Sequence, residues 1–322
     1  MAIYTRLSDI NIKEFFLKYN LGKVIRHQGI QEGIENTNYF VETEKNKFIL
    51  TIYEKRVDEK DLPFFMALMK NLFNSNFPSP EPIINNNGNY ITEMFGKKAA
   101  VVSFLGGSSK KILTSDNCYS VGVETAKLHE ITKNLTLTRE NKLSVKSWRT
   151  IYEKIKKDCS KIQKDLPSTI ERNLDEIEKG WPKNIPSGII HADLFSDNIF
   201  FENNKLTGFI DFYFSCHDFY AFEIAICLNA LCFEGINENL SFNVTKAKKF
   251  IDGYSSIRKL SEHEKKSLKI LSQGAAMRFL LTRVFDYLNV IEGAVVKVKD
   301  PIEYLKRLEF HKNVNNYQDY FF

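Results

Sequence analysis

The stretch GIIHADLFSDNIFFENNKLTGFIDFYF, residues 188–214, decides the fold of this chain. It contains two short apolar segments, GIIH and NIFF, then the turn ENNKL and a third apolar segment, TGFIDFYF. Short runs of β-branched and aromatic residues between turn residues predict strands. Polar side chains interrupt these strands at a fixed spacing, His191-x-Asp193-x-x-x-x-Asn198, and Asp211 follows Asn198 by thirteen residues. The stretch therefore predicts a small β unit that presents polar side chains where its strands end.

The polar residues of this stretch match the needs of phosphoryl transfer. One carboxylate must accept the proton of an attacking hydroxyl group, and a second carboxylate with an amide oxygen must hold Mg²⁺ against the phosphates. The spacing therefore predicts Asp193 as the catalytic base, and Asn198 and Asp211 as metal ligands. The alternative is that Asp193 and Asp197 are turn residues and that Asp211 only ends a strand. We favour catalysis because an unpaired carboxylate buried on an apolar strand costs several kcal/mol.

The composition excludes several classes of protein. The chain has 322 residues, of which 43% are hydrophobic, enough to offset chain entropy and to exclude disorder as the main state. There are 45 Lys and Arg residues against 40 Asp and Glu residues, a formal net charge of +5. The basic residues alternate with acidic and neutral ones, as in KIKKDCSKIQKD at 154–165, which predicts a solvated helix face. We therefore expect no nucleic acid among the partners.

The sequence also indicates a cytoplasmic protein without a membrane partner. Its longest apolar run, AFEIAICLNALCF at 221–233, is shorter than the ~20 residues needed to cross a bilayer and includes Glu223. The first residues lack the pattern of a signal peptide. The five cysteines are odd in number and form no Cys-x-x-Cys pair, which predicts free thiols in a reducing compartment.

The chain divides into two predicted lobes, residues 1–104 and 105–322. In the first, YFVET at 39–43 and KFILTIY at 47–53 predict a hairpin, and apolar spacing predicts a helix over 60–74. Two further strands are predicted at 90–95 and 98–104, before Gly106 and Gly107. The second lobe is predicted to be mostly helical, with helices at 116–132, 147–164, 168–179, 218–233, 243–255 and 262–292. The expected fold class is α+β, a bilobal protein-kinase-like fold with a small antiparallel β-sheet N-lobe and a mainly helical C-lobe.

A family resemblance runs through nearly the whole chain. The motif His191-Ala192-Asp193-Leu194-x-x-Asp197-Asn198 resembles the signature of the aminoglycoside phosphotransferase/choline kinase-like family. Seven blocks carry the resemblance in order: GIENTNYFVET (33–43), FILTIYEKRV (48–57), IIHADLFSDNIFF (189–201), IDFYFSCHD (210–218), AICLNALCF (225–233), GAAMRFLLTR (274–283) and KDPIEYLKRLEFH (299–311). The first and last blocks resemble the branch that phosphorylates homoserine.

This resemblance implies an enzyme that binds ATP and Mg²⁺ between its lobes. It would phosphorylate the hydroxyl of L-homoserine directly, giving O-phospho-L-homoserine on the route to threonine, with Asp193 as base. The resemblance leaves the oligomeric state open. It also places the nucleotide loop at 33–38, where a single glycine leaves the turn backbone and three side chains as phosphate donors. These side chains are Asn36, Thr37 and Asn38.

Two further nucleotide contacts follow from the resemblance. Thr51 occupies the strand position where such kinases usually present Lys or Arg to the phosphates, so Lys55 or Arg56 are the candidate replacements. The segment before Gly106 would offer backbone groups to the adenine ring. Its candidate residues are Ser103, Phe104 and Leu105.

An amino-acid acceptor requires a site with a guanidinium group and an acid. The candidates are Tyr213, Asp218, Arg278 and Arg283. Structural alternatives exist for each charged group. Arg283 is spaced to pair with Asp286 on the helix surface, Asp218 to cap a helix, and Glu223 to brace the catalytic loop.

Two other functions remain open from the sequence. In the first alternative the reaction is the same but the acceptor is choline or an aminoglycoside. A cluster of aromatic residues is compatible with a cage for the quaternary ammonium of choline. The cluster consists of Tyr213, Phe214, Phe219 and Tyr220. A kinase-shaped binding protein without catalysis is the other alternative, suggested by Thr51 in place of a cation.

Overall fold

The computed structural model describes residues 4–30, 36–54, 57–235, 239–289 and 299–321. The described chain forms two units. The first comprises the residues up to Gly107 together with Thr207–Tyr213, and the second comprises Ser108–Leu206, the residues from Phe214 to 289, and 299–321. The lobe boundary that we place after residue 104 stays a prediction.

The first unit is built on an antiparallel sheet. Its elements are α1 (Asp9–Phe16), β1 (Val24–Ile30), β2 (Thr37–Thr43), β3 (Lys47–Ile52), α2 (Leu62–Asn74), β4 (Pro82–Ile83), β5 (Ile91–Met94) and β6 (Lys97–Ser103). The strand order is β1-β2-β3-β6-β4, and β5 pairs with β6. The predicted hairpin is confirmed, since Glu42 of β2 lies opposite Lys47 of β3. The predicted helix at 60–74 and strands at 90–95 and 98–104 are also present.

The core of the first unit lies between this sheet and α1. Ser8 begins the helix with a capping box that also uses Asn11, which satisfies backbone groups at the helix start. β2 alternates between fully and partly buried residues, as expected for a strand with one face on the core. Its buried Val41 belongs to the same apolar cluster as Phe16 of α1 and Leu50 of β3. This packing fixes the register of the central strands.

The second unit is mainly helical, as predicted. Its elements are β7 (Ser108–Ser109), α3 (Ser115–Thr132), α4 (Val145–Ile155), α5 (Leu166–Gly180), β8 (Ser187–Ile190), β9 (Ile199–Glu202), the start of β10 (Lys205–Phe209), β11 (Cys216–Phe219), α6 (Tyr220–Leu231), β12 (Phe233–Glu234), β13 (Ser241–Phe242), α7 (Val244–Ile257), α8 (Glu262–Leu288) and α9 (Ile302–Asn313). Three antiparallel pairs occur within it: β8 with β11, β7 with β9, and β12 with β13.

Three predicted elements have different bounds in the structure. The helix predicted at 147–164 ends at Ile155, and a short 3-10 turn at Cys159–Lys161 follows it. The helix predicted at 218–233 begins at Tyr220, because Cys216–Phe219 pairs with β8 as a strand. The strand predicted at 207–214 ends at Phe209, because Asp211 adopts φ +63°, which interrupts a strand. Part of the helix predicted at 262–292 lies outside the described residues.

The free thiols predicted from the sequence are confirmed. All five cysteines are buried and free. None of the helices in the described ranges combines the length and the apolar character that crossing a bilayer requires.

Candidate active site

The loop after β8 has an unusual backbone conformation. Ala192 adopts φ +66°, a left-handed conformation that a residue with a Cβ rarely takes and that its surroundings must stabilise. The N–H groups of His191 and Ala192 both donate to Oε2 of Glu223, the latter at 3.0 Å. On the carbonyl side, Nη1 of Arg278 donates to the Ala192 oxygen at 2.6 Å. We call Glu223 and Arg278 the loop clamp, because together they hold both polar groups of Ala192.

The loop clamp consists of two buried charged side chains. Glu223 is 0% exposed on α6, and Arg278 is 2% exposed on α8. Burial raises the pKa of Glu223 to about 7, although the two N–H donors and the charge of Arg278 act to lower it. The expectation that Glu223 braces the catalytic loop is therefore confirmed. The substrate role of Arg278 stays a prediction, and one of its nitrogens is already bonded to the loop.

Asp193 follows directly, and Asn198 holds its orientation. Nδ2 of Asn198 donates to the Asp193 carbonyl oxygen at 2.8 Å and to its Oδ2 at 3.2 Å. Asn198 is buried and Asp193 is half-buried. Burial raises the pKa of Asp193, while the positive charges of Arg278 and Lys299 lower it. Since Nδ2 of Asn198 is bonded to Asp193, Oδ1 is the atom of this side chain suited to a metal.

Asp211 belongs to the first unit and lies in a left-handed turn after β10. Its side chain is exposed. The preceding strand is anchored by Phe209, whose N–H donates to the Pro78 oxygen at 3.0 Å. The turn therefore presents the carboxylate of Asp211 at the surface of its unit.

Tyr213 packs within the first unit beside this turn. Its Oη accepts a hydrogen bond from Tyr53 at 3.0 Å, and its ring makes an edge contact with Phe65 at a centroid distance of 5.5 Å. Burial, with a contribution from the nearby charge of Asp211, raises the pKa of Tyr213 to about 12. These contacts give Tyr213 a packing role, and its proposed contact with the acceptor remains a prediction.

The predicted nucleotide-loop side chains bond to other parts of the first unit. Oγ1 of Thr37, a residue that is 0% exposed, accepts from the N–H groups of Tyr4 and Thr5 and donates to Glu54 at 2.8 Å. Asn36 accepts from the Glu54 N–H at 3.4 Å. Asn38 accepts from Oγ1 of Thr51 at 2.8 Å. These bonds shape the start of β2, while 33–35, Lys55 and Arg56 lie outside the described residues.

The predicted adenine contacts lie at the end of β6. The Ser103 N–H donates to the Glu81 oxygen at 2.8 Å, and the Phe104 N–H donates to the Lys47 oxygen at 3.0 Å. The Leu105 N–H makes no hydrogen bond to the described part of the chain. Of the three candidates, Leu105 is thus the one with an available backbone donor.

The remaining acceptor candidates already have protein partners. Asp218 accepts from Nδ2 of Asn141 at 2.7 Å and from the Phe219 N–H at 2.7 Å. The expectation that Asp218 caps α6 is wrong, because Phe219 occupies the N-cap position. Arg283 donates to Glu303 at 2.8 Å and to the Asp300 oxygen at 2.9 Å. The sequence analysis did not predict that Asn141 lies beside Asp218 or that Glu303 lies beside Arg283.

Sequence reasoning missed one cation near the catalytic loop. Nζ of Lys299 lies 3.8 Å from Oδ2 of Asp197 and 5.2 Å from the ring centroid of Phe195. Its charge lowers the pKa of Asp193. The only signal in the sequence was its place at the start of the last block of the family resemblance, 299–311.

Comparison with curated proteins gives relatives along nearly the whole chain. A homoserine kinase from Paramagnetospirillum magneticum is 45% identical over 320 residues, 98% of this chain and 97% of the relative. A homoserine kinase from Bradyrhizobium diazoefficiens is 44% identical over 321 residues, 99% of this chain and 97% of the relative. The family resemblance predicted from the motifs is confirmed.

Solved structures share the fold at low sequence identity. The amicoumacin kinase hAmiN, solved with AMP-PNP, Ca²⁺ and Ami, has a TM-score of 0.72 and 13% identity, covering 97% of this chain and 95% of its own. A spectinomycin phosphotransferase solved with ADP has a TM-score of 0.66 and 15% identity, covering 98% of both chains. These similarities confirm the predicted bilobal kinase-like fold. Since the phosphotransferase enzyme family model matches residues 26–255 and the curated relatives match almost end to end, the chain belongs to the phosphotransferase enzyme family, among the homoserine kinases.

Proposed function

We propose that this enzyme transfers the γ-phosphoryl group of ATP to the hydroxyl oxygen of L-homoserine, giving O-phospho-L-homoserine and ADP. The observation that carries the proposal is the catalytic loop. It holds Asp193 and Asn198 together in a chain that is 41–45% identical to curated homoserine kinases over nearly its full length. An intact carboxylate and amide at these positions argue against a binding protein without catalysis.

Asp193 acts as the general base in this proposal. It accepts the hydroxyl proton while the acceptor oxygen forms its bond to phosphorus and the bond from phosphorus to the ADP oxygen breaks. No covalent enzyme intermediate is needed. A half-buried carboxylate with a raised pKa is a stronger base than a fully exposed one, because ionisation is less favourable in its surroundings.

The two proposed metal ligands offer hard oxygen atoms, the kind that Mg²⁺ prefers. Asn198 would bind it through Oδ1, since Nδ2 is bonded to Asp193, and Asp211 would bind it through its exposed carboxylate. Within the described residues no group of three His, Cys, Asp or Glu side chains is arranged to hold a metal. Phosphate and water oxygens would complete the coordination, since Mg²⁺ usually keeps several waters and binds proteins through one or two carboxylates. When bound, Mg²⁺ neutralises charge on the transferring phosphates.

The nucleotide contacts that we propose combine backbone and side-chain groups. The Leu105 N–H is the donor available to the adenine ring. Asn36, Thr37 and Asn38 form the end of the proposed nucleotide loop at 33–38, and their side chains bond to Glu54 and Thr51. These bonds would hold residues 36–38 in place for contacts with phosphate oxygens.

An acceptor panel tests the proposed function. ADP release is followed with Mg·ATP and, separately, L-homoserine, choline or kanamycin, with Asp193→Asn protein as the control for contaminating ATPase. Of the three acceptors, we expect only L-homoserine to support ADP release, and we expect this release only from the unsubstituted enzyme. Turnover of choline or kanamycin without turnover of homoserine would overturn the acceptor assignment. ATP binding with no turnover of any acceptor would support a binding protein.

A further inference from the structure

Most cations around Asp193 are bonded to the protein itself. In the second unit Arg278 donates to the catalytic loop, Arg283 donates to Glu303, and Lys299 lies near Asp197. Arg307 of α9 differs, because it forms no ion pair with any described residue. Its half-buried side chain has a buried Nε without a hydrogen-bond partner in that part of the chain. Arg307 is thus a guanidinium group whose charge is not matched by the described protein.

Tyr304, one helical turn before Arg307, is also incompletely bonded. It is 0% exposed, and its Oη completes no hydrogen bond of normal geometry with the described residues. The guanidinium carbon of Arg307 lies 4.5 Å from its ring centroid, and that of Arg283 lies 4.4 Å away. Burial raises the pKa of Tyr304, while the charges of Arg307 and Arg283 and a polar contact with the Arg307 side chain lower it. A neutral phenol that can donate a hydrogen bond therefore lies beside the unpaired guanidinium.

A series of ring contacts connects this pair to the catalytic loop. The ring of Phe195, two residues after Asp193, meets Phe279 edge-on at a centroid distance of 4.9 Å. Phe279 in turn lies 5.1 Å from the ring of Tyr304. The charge of Asp193 is also among the causes that raise the pKa of Tyr304. The catalytic base and the unpaired polar groups therefore belong to one neighbourhood of the second unit.

Buried donors without partners destabilise a protein unless a ligand or water satisfies them. Here the unsatisfied groups are a guanidinium and a phenol, which together donate to an anion with at least two oxygens. A carboxylate fits this donor pair, since arginine binds it through parallel hydrogen bonds. We propose that Arg307 and Tyr304 form the subsite for the α-carboxylate of the acceptor. This inference rests on the proposed function, because it takes homoserine as the acceptor.

The subsite would explain how the enzyme selects an amino acid. Homoserine carries its carboxylate and its hydroxyl at opposite ends of a short carbon chain. Holding the carboxylate at Arg307 would restrict where the hydroxyl lies relative to Asp193, which converts binding energy into orientation. Choline and aminoglycosides lack the carboxylate and would leave both donors unsatisfied. Rejection of such acceptors is strong when a site's buried polar groups stay unpaired.

Substrate analogues test the subsite directly. 3-Amino-1-propanol is homoserine without its carboxylate, so kcat/KM for the two acceptors is compared in the unsubstituted enzyme, Arg307→Met and Tyr304→Phe. We expect Arg307→Met to lower kcat/KM for L-homoserine about 100-fold, mainly through KM, and to change it less than about 3-fold for 3-amino-1-propanol. Tyr304→Phe is expected to lose about 10-fold for L-homoserine alone. Lys306→Met, which removes one positive charge from the same helix, is the matched control and is expected to resemble the unsubstituted enzyme.

A binding measurement makes the test independent of turnover. L-2-Aminobutanoate has the carboxylate and ammonium of homoserine but no hydroxyl, and its affinity is measured by calorimetry. We expect Arg307→Met to weaken it at least 30-fold and Lys306→Met to leave it unchanged. Two results would overturn the subsite. One is an equal loss of kcat/KM for L-homoserine and 3-amino-1-propanol in Arg307→Met, and the other is an unchanged affinity of Arg307→Met for L-2-aminobutanoate. Absence of homoserine turnover in the unsubstituted enzyme would instead overturn the proposed function.

Discussion

At the scale of single residues, the left-handed backbone of Ala192 determines how Asp193 is presented. Such a conformation costs on the order of 1–3 kcal/mol for a residue with a side chain. The loop clamp compensates by bonding both the N–H and the carbonyl group of Ala192. The spacing of Asp193 and Asn198 was readable from the sequence, because the two are five residues apart. The hydrogen bond from Arg278 was harder to predict from the sequence, since Arg278 lies 86 residues from Ala192.

The catalytic carboxylate gives the first residue-scale prediction. Asp193→Asn keeps the shape of the side chain but removes the proton acceptor, so we expect kcat to fall about 10²–10⁴-fold with ATP affinity nearly unchanged. Steady-state rates with L-homoserine and equilibrium binding of ATP check this. A variant with near-normal kcat would show that Asp193 is not the base.

The buried carboxylate of Glu223 gives a prediction about pH. Its pKa is about 7 in the folded protein against 4.5 for a free glutamate, so the folded state binds the proton more tightly. Stability from this group is therefore present at low pH and is lost as pH rises from about 4.5 through 7, by about 3 kcal/mol in all. Glu223→Gln retains an oxygen that can accept the same two N–H bonds and does not titrate.

Urea unfolding at pH 5, 6.5 and 8 measures this difference. We expect the free energy of unfolding of the unsubstituted protein to decline with rising pH relative to Glu223→Gln. Glu309→Gln, at an exposed position on α9, is the control and is expected to parallel the unsubstituted protein. Parallel curves for Glu223→Gln as well would show that Glu223 does not titrate in this range.

At the scale of elements, periodicity predicted the strands and helices whose burial follows a regular pattern. The hairpin of β2 and β3 and the long helix α8 are examples. The last two residues of β11, Asp218 and Phe219, were predicted to begin the helix at 218–233, and only the pairing of β11 with β8 distinguishes them from α6. α9 was not predicted at all, although it supplies Tyr304 and Arg307. Whether such a segment folds as a strand or a helix depends on the segment it packs against. That partner is distant in the chain, and a single sequence does not reveal it.

The packing of α3 on α7 gives a prediction at this scale. A Cβ on Gly122 would lie 2.1 Å from the Phe250 oxygen, and one on Gly253 would lie 2.1 Å from the Tyr119 oxygen. Alanine at either position must push two helix backbones apart, so we expect each substitution to lower the free energy of unfolding by about 2–3 kcal/mol. Gly106→Ala is the control, since no atom lies within 4 Å of its added Cβ. Urea titrations that show no loss for Gly122→Ala would contradict this close packing.

At the scale of the whole molecule, the two units divide the predicted site residues between them. Asp193, Asn198 and the loop clamp belong to the second unit, and Asp211 belongs to the first. The net charge of +5 did not indicate the function, because the relevant cations are individual side chains with particular partners. The fold class was predictable because a β-rich first region is followed by a mostly helical one, which the catalytic motif interrupts. The proposed acceptor subsite was not predictable from the sequence. Arg307 is distinguished by its lack of an ion pair within the described chain, which only the structure reveals.

The central claim is that this kinase phosphorylates homoserine in preference to other alcohols. The most direct measurement supplies Mg·ATP with L-homoserine, choline and kanamycin together at equal concentration, and identifies the products by ³¹P NMR and mass spectrometry. The account predicts O-phospho-L-homoserine as the phosphoester formed, with one ADP for each product molecule and no product from Asp193→Asn. Accumulation of phosphocholine or a phosphorylated aminoglycoside in place of O-phospho-L-homoserine would contradict it.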